Sequence, residues 1–430
     1  MSCCAGFLLS RVSGCFNSAV YNVCCRPCGI SSSKATRIAY AIVFLLFVIL
    51  ARLMLIDQAK IFLLKIKPLT EEISSKDLTK LVGFSGVFRV CWAISIYFFT
   101  MSIIMIGVKN SKDIRKGFQN GWWSFKILFI FGLLICAFFL PNRFMYAWSI
   151  IGAIGASFYI LIQIVLLIDF AYCAQAYLIE KWESSESKKW IIVLLSVTFG
   201  LFIFSIVITS LMYIYFTDSS SRELSLIFIS LNIFLSTFIS AISVVPKFQE
   251  ANIRAGLLQA ALITAYSTYL VFSAVYTIPL RKFENLSDAQ HKLKDFAKYA
   301  GESFTFIAIA YSTVRTSEYS SMSALGVKSF DDEDFPLAQG HDRGDSGDDE
   351  LEGCRYNWSF FHWTFALASL YVMMLLTDWD QIAFHTDGTL NLSQGVMGTV
   401  WAKVVTSWVA LLLYGWTVVA PSVLKNRDFT

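Results

Sequence analysis

A few polar side chains lie inside stretches that are otherwise continuously apolar: Arg52, Arg89, Gln163, Asp169 and Glu302. Each is costly in a lipid environment, so each is a candidate for function. Asp169 sits six residues after Gln163 within ILIQIVLLIDFAY. One reading is a polar track used by an ion or a lipid headgroup. The other, equally weighted, is a buried Asp–Arg or Asp–Tyr pair that pins helices together. Arg52 and Arg89 are expected to snorkel towards the interface. Gln163, Asp169, Arg89 and Glu302 are therefore the candidates for a lipid-binding or pathway role.

The other chemistry-bearing residues point away from catalysis. Of ten cysteines, six precede residue 29, and Cys25-Arg26-Pro27-Cys28 is a C-x-x-C. No histidine lies nearby and no thioredoxin-like strand pattern surrounds it. Beside Arg26, Lys34 and Arg37, Cys24, Cys25 and Cys28 are better placed for palmitoylation than for zinc. Nothing suggests a disulfide framework. The four histidines, His291, His341, His362 and His385, have no metal-ligand spacing. There is no Gly-rich nucleotide loop, no H-E-x-x-H and no G-x-S-x-G elbow. The expectation is a non-enzyme that needs no cofactor and no metal. Ser346, followed by Gly347, Asp348 and Asp349, resembles an acid-directed phosphorylation site.

The elements that must position these residues are membrane helices. Of 430 residues 56% are hydrophobic and 15% charged, with 38 Phe. Average soluble domains carry roughly 25% charged residues, and surface grows too fast with volume for a globule to hide this much apolar area. The apolar runs are long and lack the alternation of barrel strands. The fold class is therefore all-α, a polytopic membrane protein with ten transmembrane helices. The expected spans are 38–56, 85–108, 125–140, 148–178, 190–216, 224–245, 256–278, 301–314, 360–376 and 400–419. The fourth is over-long, so it must tilt or protrude. Gly152, Ala153, Gly155, Ala156 and Ser157 give it a stripe where a neighbour can approach closely.

Lys and Arg in short loops place both termini in the cytoplasm, although the basic loops after the first and seventh spans disagree. Both of those loops also read as amphipathic surface helices. Residues 1–37 form a Cys-rich leader, 38–314 hold eight spans, 315–358 are a loop, and 359–430 hold the last two spans and a short tail. Within that loop DDEDFPLAQGHDRGDSGDDELE, residues 331–352, is acidic enough to stay disordered. Trp122, Trp123, Trp148, Trp182, Trp190, Trp358, Trp379 and Trp401 fall near expected helix ends and read as half-wet interfacial anchors. The net charge of +4, with no basic aromatic stripe, argues against nucleic acid as a partner.

Several stretches resemble the serine incorporator family. They are Val245-Pro246-Lys247-Phe248-Gln249-Glu250, Arg254-Ala255-Gly256-Leu257-Leu258-Gln259, LIQIVLLIDFA from Leu161, YSTVRTS from Tyr311, YNWSFFHWTFALASLYVMMLLTDW and the tail SWVALLLYGWTVVAPSVLKNRDF. The resemblance implies two helical subdomains divided by a long tilted fourth helix, with lipid bound between them. It implies a link to non-selective phospholipid scrambling and, alternatively, a non-catalytic scaffold role that delivers serine to phosphatidylserine and sphingolipid synthesis. In animal members it also implies restriction of enveloped retroviruses. The implied partners are phospholipids and sphingolipids, lipid-synthesis enzymes and a second copy of the chain. The implied residence is the plasma membrane or an endomembrane (Golgi, endoplasmic reticulum or vacuole). In one departure, the seventh loop, 281–300, lacks the cysteines that animal members often carry in exposed loops. Asn285-Leu286-Ser287 and Asn391-Leu392-Ser393 could accept glycans if their loops face the lumen, whereas Asn357-Trp358-Ser359 should lie on the cytoplasmic side.

Overall fold

The computed structural model describes residues 32–70, 78–110, 112–185, 187–216, 222–251, 256–278, 299, 303, 357–377, 379, 381–384, 390–393 and 397–423. Hydrocarbon offers the backbone no hydrogen-bond partners, so each apolar run closes its own bonds as a helix. The helices are α1 (Ser32–Leu53), α2 (Asp57–Leu63), α3 (Lys67–Thr70), α4 (Leu78–Ile104), α5 (Lys116–Asn120), α6 (Trp123–Phe139) and α7 (Asn142–Ser185). They continue with α8 (Lys189–Tyr215), α9 (Arg222–Val244), α10 (Pro246–Ala251), α11 (Leu257–Thr277), α12 (Trp358–Leu376) and α13 (Met397–Val423). Among the described residues eight helices are long and apolar enough to cross a membrane, and the 17-residue α6 is a shorter apolar one. This is compatible with ten spans. The expected eighth span, 301–314, lies outside the described residues apart from position 303. The chain is an integral, multi-pass membrane protein.

Two compact units divide the chain, and the division falls inside α7, between Tyr159 and Ile160. At 44 residues α7 is longer than expected. A helix of that length rises about 66 Å along its path, roughly twice the hydrocarbon thickness. Part of its extra length comes from Asn142 to Ala147, a segment read from sequence as a connection.

In the first unit α12 packs along α4, and α1 and α6 pack against α4. Ser102 and Ser359 exchange hydrogen bonds across the α4–α12 contact. Ser102 Oγ donates to the Ser359 carbonyl at 2.9 Å, and Ser359 Oγ donates to the Ser102 carbonyl at 2.8 Å. Such small polar residues let helices approach closely where no water competes. Asn357 caps α12, its side-chain oxygen accepting from the Phe360 N–H at 3.0 Å. The small-residue stripe of α7 meets α12 as well. A Cβ on Gly152 would collide with Met373, and one on Gly155 with Leu370. The connection after α12 contains an antiparallel hairpin, β1 (Gln381–Phe384) with β2 (Leu390–Ser393), in which Asn391 pairs with Ala383.

Not every tryptophan is an interfacial anchor. Trp122, Trp182 and Trp401 are exposed, but Trp123, Trp148, Trp358 and Trp379 are buried. Trp148 was expected at a helix end. Because α7 starts at Asn142, Trp148 lies within the helix instead.

In the second unit α11 is enclosed by α8, α9 and α13. Thr198, Ser205 and Thr209 on α8, and Ser225, Asn232, Ser236 and Ser243 on α9, are all buried. Their spacings of seven and four keep each set on one helical face. Ile192, Phe199, Ile203, Ile206 and Ile214 of α8 are exposed. The polar face turns inward and the apolar face outward, the reverse of a soluble amphipathic helix.

Candidate functional site

Arg89 does not snorkel. It is fully buried in α4, and its guanidinium donates to the Leu140 carbonyl at 3.0 Å, the Asn142 side-chain oxygen at 3.0 Å and the Ser85 carbonyl at 3.2 Å, with Ser85 Oγ also in contact. Leu140 closes α6 and Asn142 opens α7. The arginine therefore clamps the corner between these two helices. A charge at the centre of a membrane helix costs about 2.5–3.5 kcal/mol, and hydrogen bonds to a charged group return about 1.5–3 kcal/mol each. Several acceptors are enough to hold the cation in place, and its planar fork reaches them together.

A second buried cation, Lys126, lies in the first turn of α6. Its ammonium donates to the Gln119 carbonyl at 2.8 Å and stands 4.2 Å from the Trp123 ring and 4.8 Å from the Tyr40 ring. Tyr40 Oη donates to the same carbonyl at 3.0 Å. The Gln119 side-chain oxygen lies 2.7 Å from His362 Nε2. His362 packs edge-on against Tyr40, with ring centroids 4.8 Å apart. The network joins α1, α5, α6 and α12 around the carbonyl end of α5, a helix terminus that would otherwise be buried without partners. Gln119, Lys126 and His362 are all sealed from solvent.

The second unit holds a different arrangement. Gln163 is buried and accepts a hydrogen bond from Tyr266 Oη of α11 at 3.2 Å. Asp169 follows six residues later, which on a helix places the two about 120° apart. Asp169 is followed at three-residue steps by Tyr172 and Gln175, each step rising about 4.5 Å and turning about 60° short of a full circle, so that Gln175 again stands about 120° from Asp169 and the polar groups wind along α7. Asp169 and Tyr172 are half-buried and Gln175 is buried. Tyr172 Oη lies 3.5 Å from Thr417 Oγ1 of α13. The Gln175 amide lies where a side chain on Gly256 would have to go. The Gly256 N–H donates to the Gln259 side-chain oxygen at 2.9 Å, and the Gly256 carbonyl accepts from Tyr414 Oη at 3.3 Å. The Gly256-Leu257-Leu258-Gln259 stretch is therefore where α11 begins against α7 and α13. Further along α11, Asn232 of α9 bridges Ser267 and Thr268, the Ser267 hydroxyl donating at 2.5 Å. Lys403 of α13 donates to Ser273 Oγ at 2.9 Å.

The candidate residues thus separate. Arg89 belongs to a clamp in the first unit, whereas Gln163 and Asp169 sit on α7 in the second. Asn391 lies on β2. Glu302, Cys24, Cys25, Cys28, Ser346 and Asn285 lie outside the described residues. Sequence reasoning missed Lys126, Gln119, Lys403 and Asn232. Lys126 stands at the edge of the expected span 125–140, where a lysine is unremarkable. The spacing of Asn232 among the serines of α9 was the legible signal for a polar inner face. Among the described residues no group of three or more His, Cys, Asp or Glu could hold a metal ion.

The family model for Serine incorporator (Serinc) matches residues 13–427. The chain belongs to the serine incorporator family. Serine incorporator 3 of Bos taurus is 35% identical, with 93% of each chain covered. A probable serine incorporator of Monosiga brevicollis is 34% identical over 99% of this chain and 98% of its own. Serine incorporator 2 of Homo sapiens is 31% identical with both chains covered in full. Among the stretches with family resemblance, Arg254–Gln259 carries the Gly256 junction, and Leu161–Ala171 carries Gln163 and Asp169. In this serine incorporator both stretches lie in the second unit.

Proposed function

We propose that this serine incorporator moves phospholipids, and sphingolipids of similar headgroup, between the two leaflets of its membrane. The observation that carries this reading is the ladder of Asp169, Tyr172 and Gln175 on α7, which is only partly buried at Asp169 and Tyr172. The Arg89 and Lys126 sites are sealed and bonded to protein partners. A headgroup would have to enter a sealed site to reach them, whereas Asp169 and Tyr172 are only half-buried. The ladder offers a carboxylate for an ammonium, and a phenol and an amide for phosphate oxygens. Such groups replace part of the hydration a headgroup loses on entering the hydrocarbon layer, while its tails stay in lipid.

Nothing in this reading requires a covalent step, and we regard the chain as non-enzymatic. The purified protein in liposomes carrying a fluorescent lipid tests it. Bleaching of inner-leaflet label by an impermeant reductant should proceed well beyond the half reached in empty vesicles. Bleaching that stops at the same level as in empty vesicles refutes the proposal. The relatives are named only as serine incorporators; with that name we keep a second reading, a scaffold that supplies serine to lipid synthesis. Co-purification of serine-using lipid synthases, lost when residues 331–352 are deleted, would support it.

A further inference from the structure

The connection between α4 and α6, residues 105–122, joins two apolar helices of the first unit. Arg115 holds it in shape. Its guanidinium donates to the carbonyls of Ile104 and Ile106 at 2.9 and 2.8 Å and to Asp113 at 2.7 Å. The arginine thus closes the carbonyl end of α4 and balances the one carboxylate of the connection. Lys109, Lys112 and Lys116 then give the connection a surplus of positive charge, and the first two of them are exposed.

Three apolar residues of this connection are presented outward. Ile114 is 94% exposed and Ile106 60%. Trp122 is 55% exposed and has φ 55°, in the left-handed region. For a bulky L residue that conformation costs about 1–2 kcal/mol. It leaves the indole beside Phe118, with ring centroids 4.9 Å apart, rather than inside the unit where Trp123 goes. One exposed isoleucine in a loop is ordinary. A stapled loop that combines a fully exposed isoleucine, an outward indole in a strained backbone and a cluster of three lysines matches a bilayer headgroup layer instead. That layer is apolar just below its surface, is suited to indole, and can carry negative charge.

We infer that residues 105–122 form a docking knuckle for an anionic lipid surface, with Ile114 and Trp122 entering the headgroup layer and Lys109, Lys112 and Lys116 meeting lipid phosphates or carboxylates. Docking of this kind is separate from lipid transport, since it needs only that the chain spans a membrane. The lysine count of the connection also places it on the face to which the basic loops point, the leaflet where anionic lipid accumulates in cells.

The test uses the full chain in nanodiscs of phosphatidylcholine, with and without phosphatidylserine. Hydrogen exchange is read at the bonded amides of Lys116, Gly117 and Phe118. Each lysine near an anionic surface should raise occupancy about fivefold. Exchange should therefore slow several-fold in the serine-containing discs, return towards the phosphatidylcholine rate at high salt, and lose its lipid dependence in K109Q/K112Q/K116Q. Equal exchange in the two discs overturns the inference, as does a slowing that survives the triple substitution. Slowing in phosphatidylcholine discs only after addition of a soluble extract would assign the surface to a protein and equally overturn it. Exchange within α4 and α12 reports whether the variant is folded, and the salt arm on the unaltered chain decides the matter if it is not.

Discussion

At the scale of residues, the buried basic side chains Arg89 and Lys126 are held by hydrogen bonds to backbone carbonyls and an amide, with no carboxylate among the partners described above. For Arg89 the fork is what matters, since it reaches Leu140 and Asn142 together. Arg89→Lys keeps the charge but cannot reach both acceptors, so thermal unfolding in detergent should drop by several degrees. That corresponds to about 1–3 kcal/mol for an acceptor left unsatisfied. An unchanged unfolding temperature would mean that the guanidinium is not the clamp described. The Gln119–His362 contact makes a second test. Gln119→Leu strands His362 Nε2 in a sealed site and should cost about 1–3 kcal/mol. His362→Phe alone strands the glutamine oxygen, and the double variant strands neither. The cycle should therefore show coupling of about 1 kcal/mol or more, with the double variant less unstable than the sum of the singles. Neither site was legible in the sequence. Besides Ser85 one turn away, the partners of Arg89 lie about fifty residues along the chain, and nothing in local spacing says that the α6–α7 corner will fold back over it. His362 showed no ligand spacing because its partner is an amide that arrives from another helix.

At the scale of elements, two junctions carry consequences. The start of α11 depends on Gly256 having no side chain, because the Gln175 amide occupies that space. Gly256→Ala should destabilise by about 1–3 kcal/mol as an overpacked contact. Adding Gln175→Ala should recover part of the loss, and no recovery would mean that the cost comes from the helix cap instead. The second junction is the end of α4. Hydrogen bonds from Arg115 hold the Asp113 carboxyl below the usual carboxylate range. A depressed folded-state pKa means that the contact contributes fully above the ordinary carboxylate pKa and is lost as pH falls through the folded value. Exchange at the 113–118 amides, corrected for intrinsic rate, should therefore be flat from neutral pH to about pH 5 and loosen only in more acid solution. In Asp113→Asn it should be loose throughout, and a wild-type transition near neutrality would contradict the assignment. Element types were readable because long apolar runs leave lipid-embedded backbone no alternative to helix. The early start of α7 was not readable. Asn142 and Arg143 look like a connection until Arg89 is seen to donate to the Asn142 side-chain oxygen at the start of α7. The hairpin of Gln381–Phe384 with Leu390–Ser393 escaped notice for a related reason, since two four-residue strands leave little alternation to detect.

At the scale of the whole molecule, the family assignment and the helical, multi-pass architecture were both visible in sequence. The distribution of polar groups needed coordinates. Gln163 and Asp169 read as one track, and Tyr172 and Gln175 extend the polar groups along α7, winding about 60° at each three-residue step. In the proposed mechanism this ladder, rather than the sealed cations, is what a moving headgroup meets. The most direct measurement compares lipid exchange between leaflets for wild-type protein and for Asp169→Leu/Tyr172→Phe/Gln175→Leu, reconstituted at equal density and with equal unfolding temperatures. The wild type should equilibrate the label rapidly while the triple variant slows by an order of magnitude or more, as expected if each lost polar contact costs about 0.5–1.5 kcal/mol in the barrier. Equal rates for the two proteins would contradict a headgroup path along the ladder.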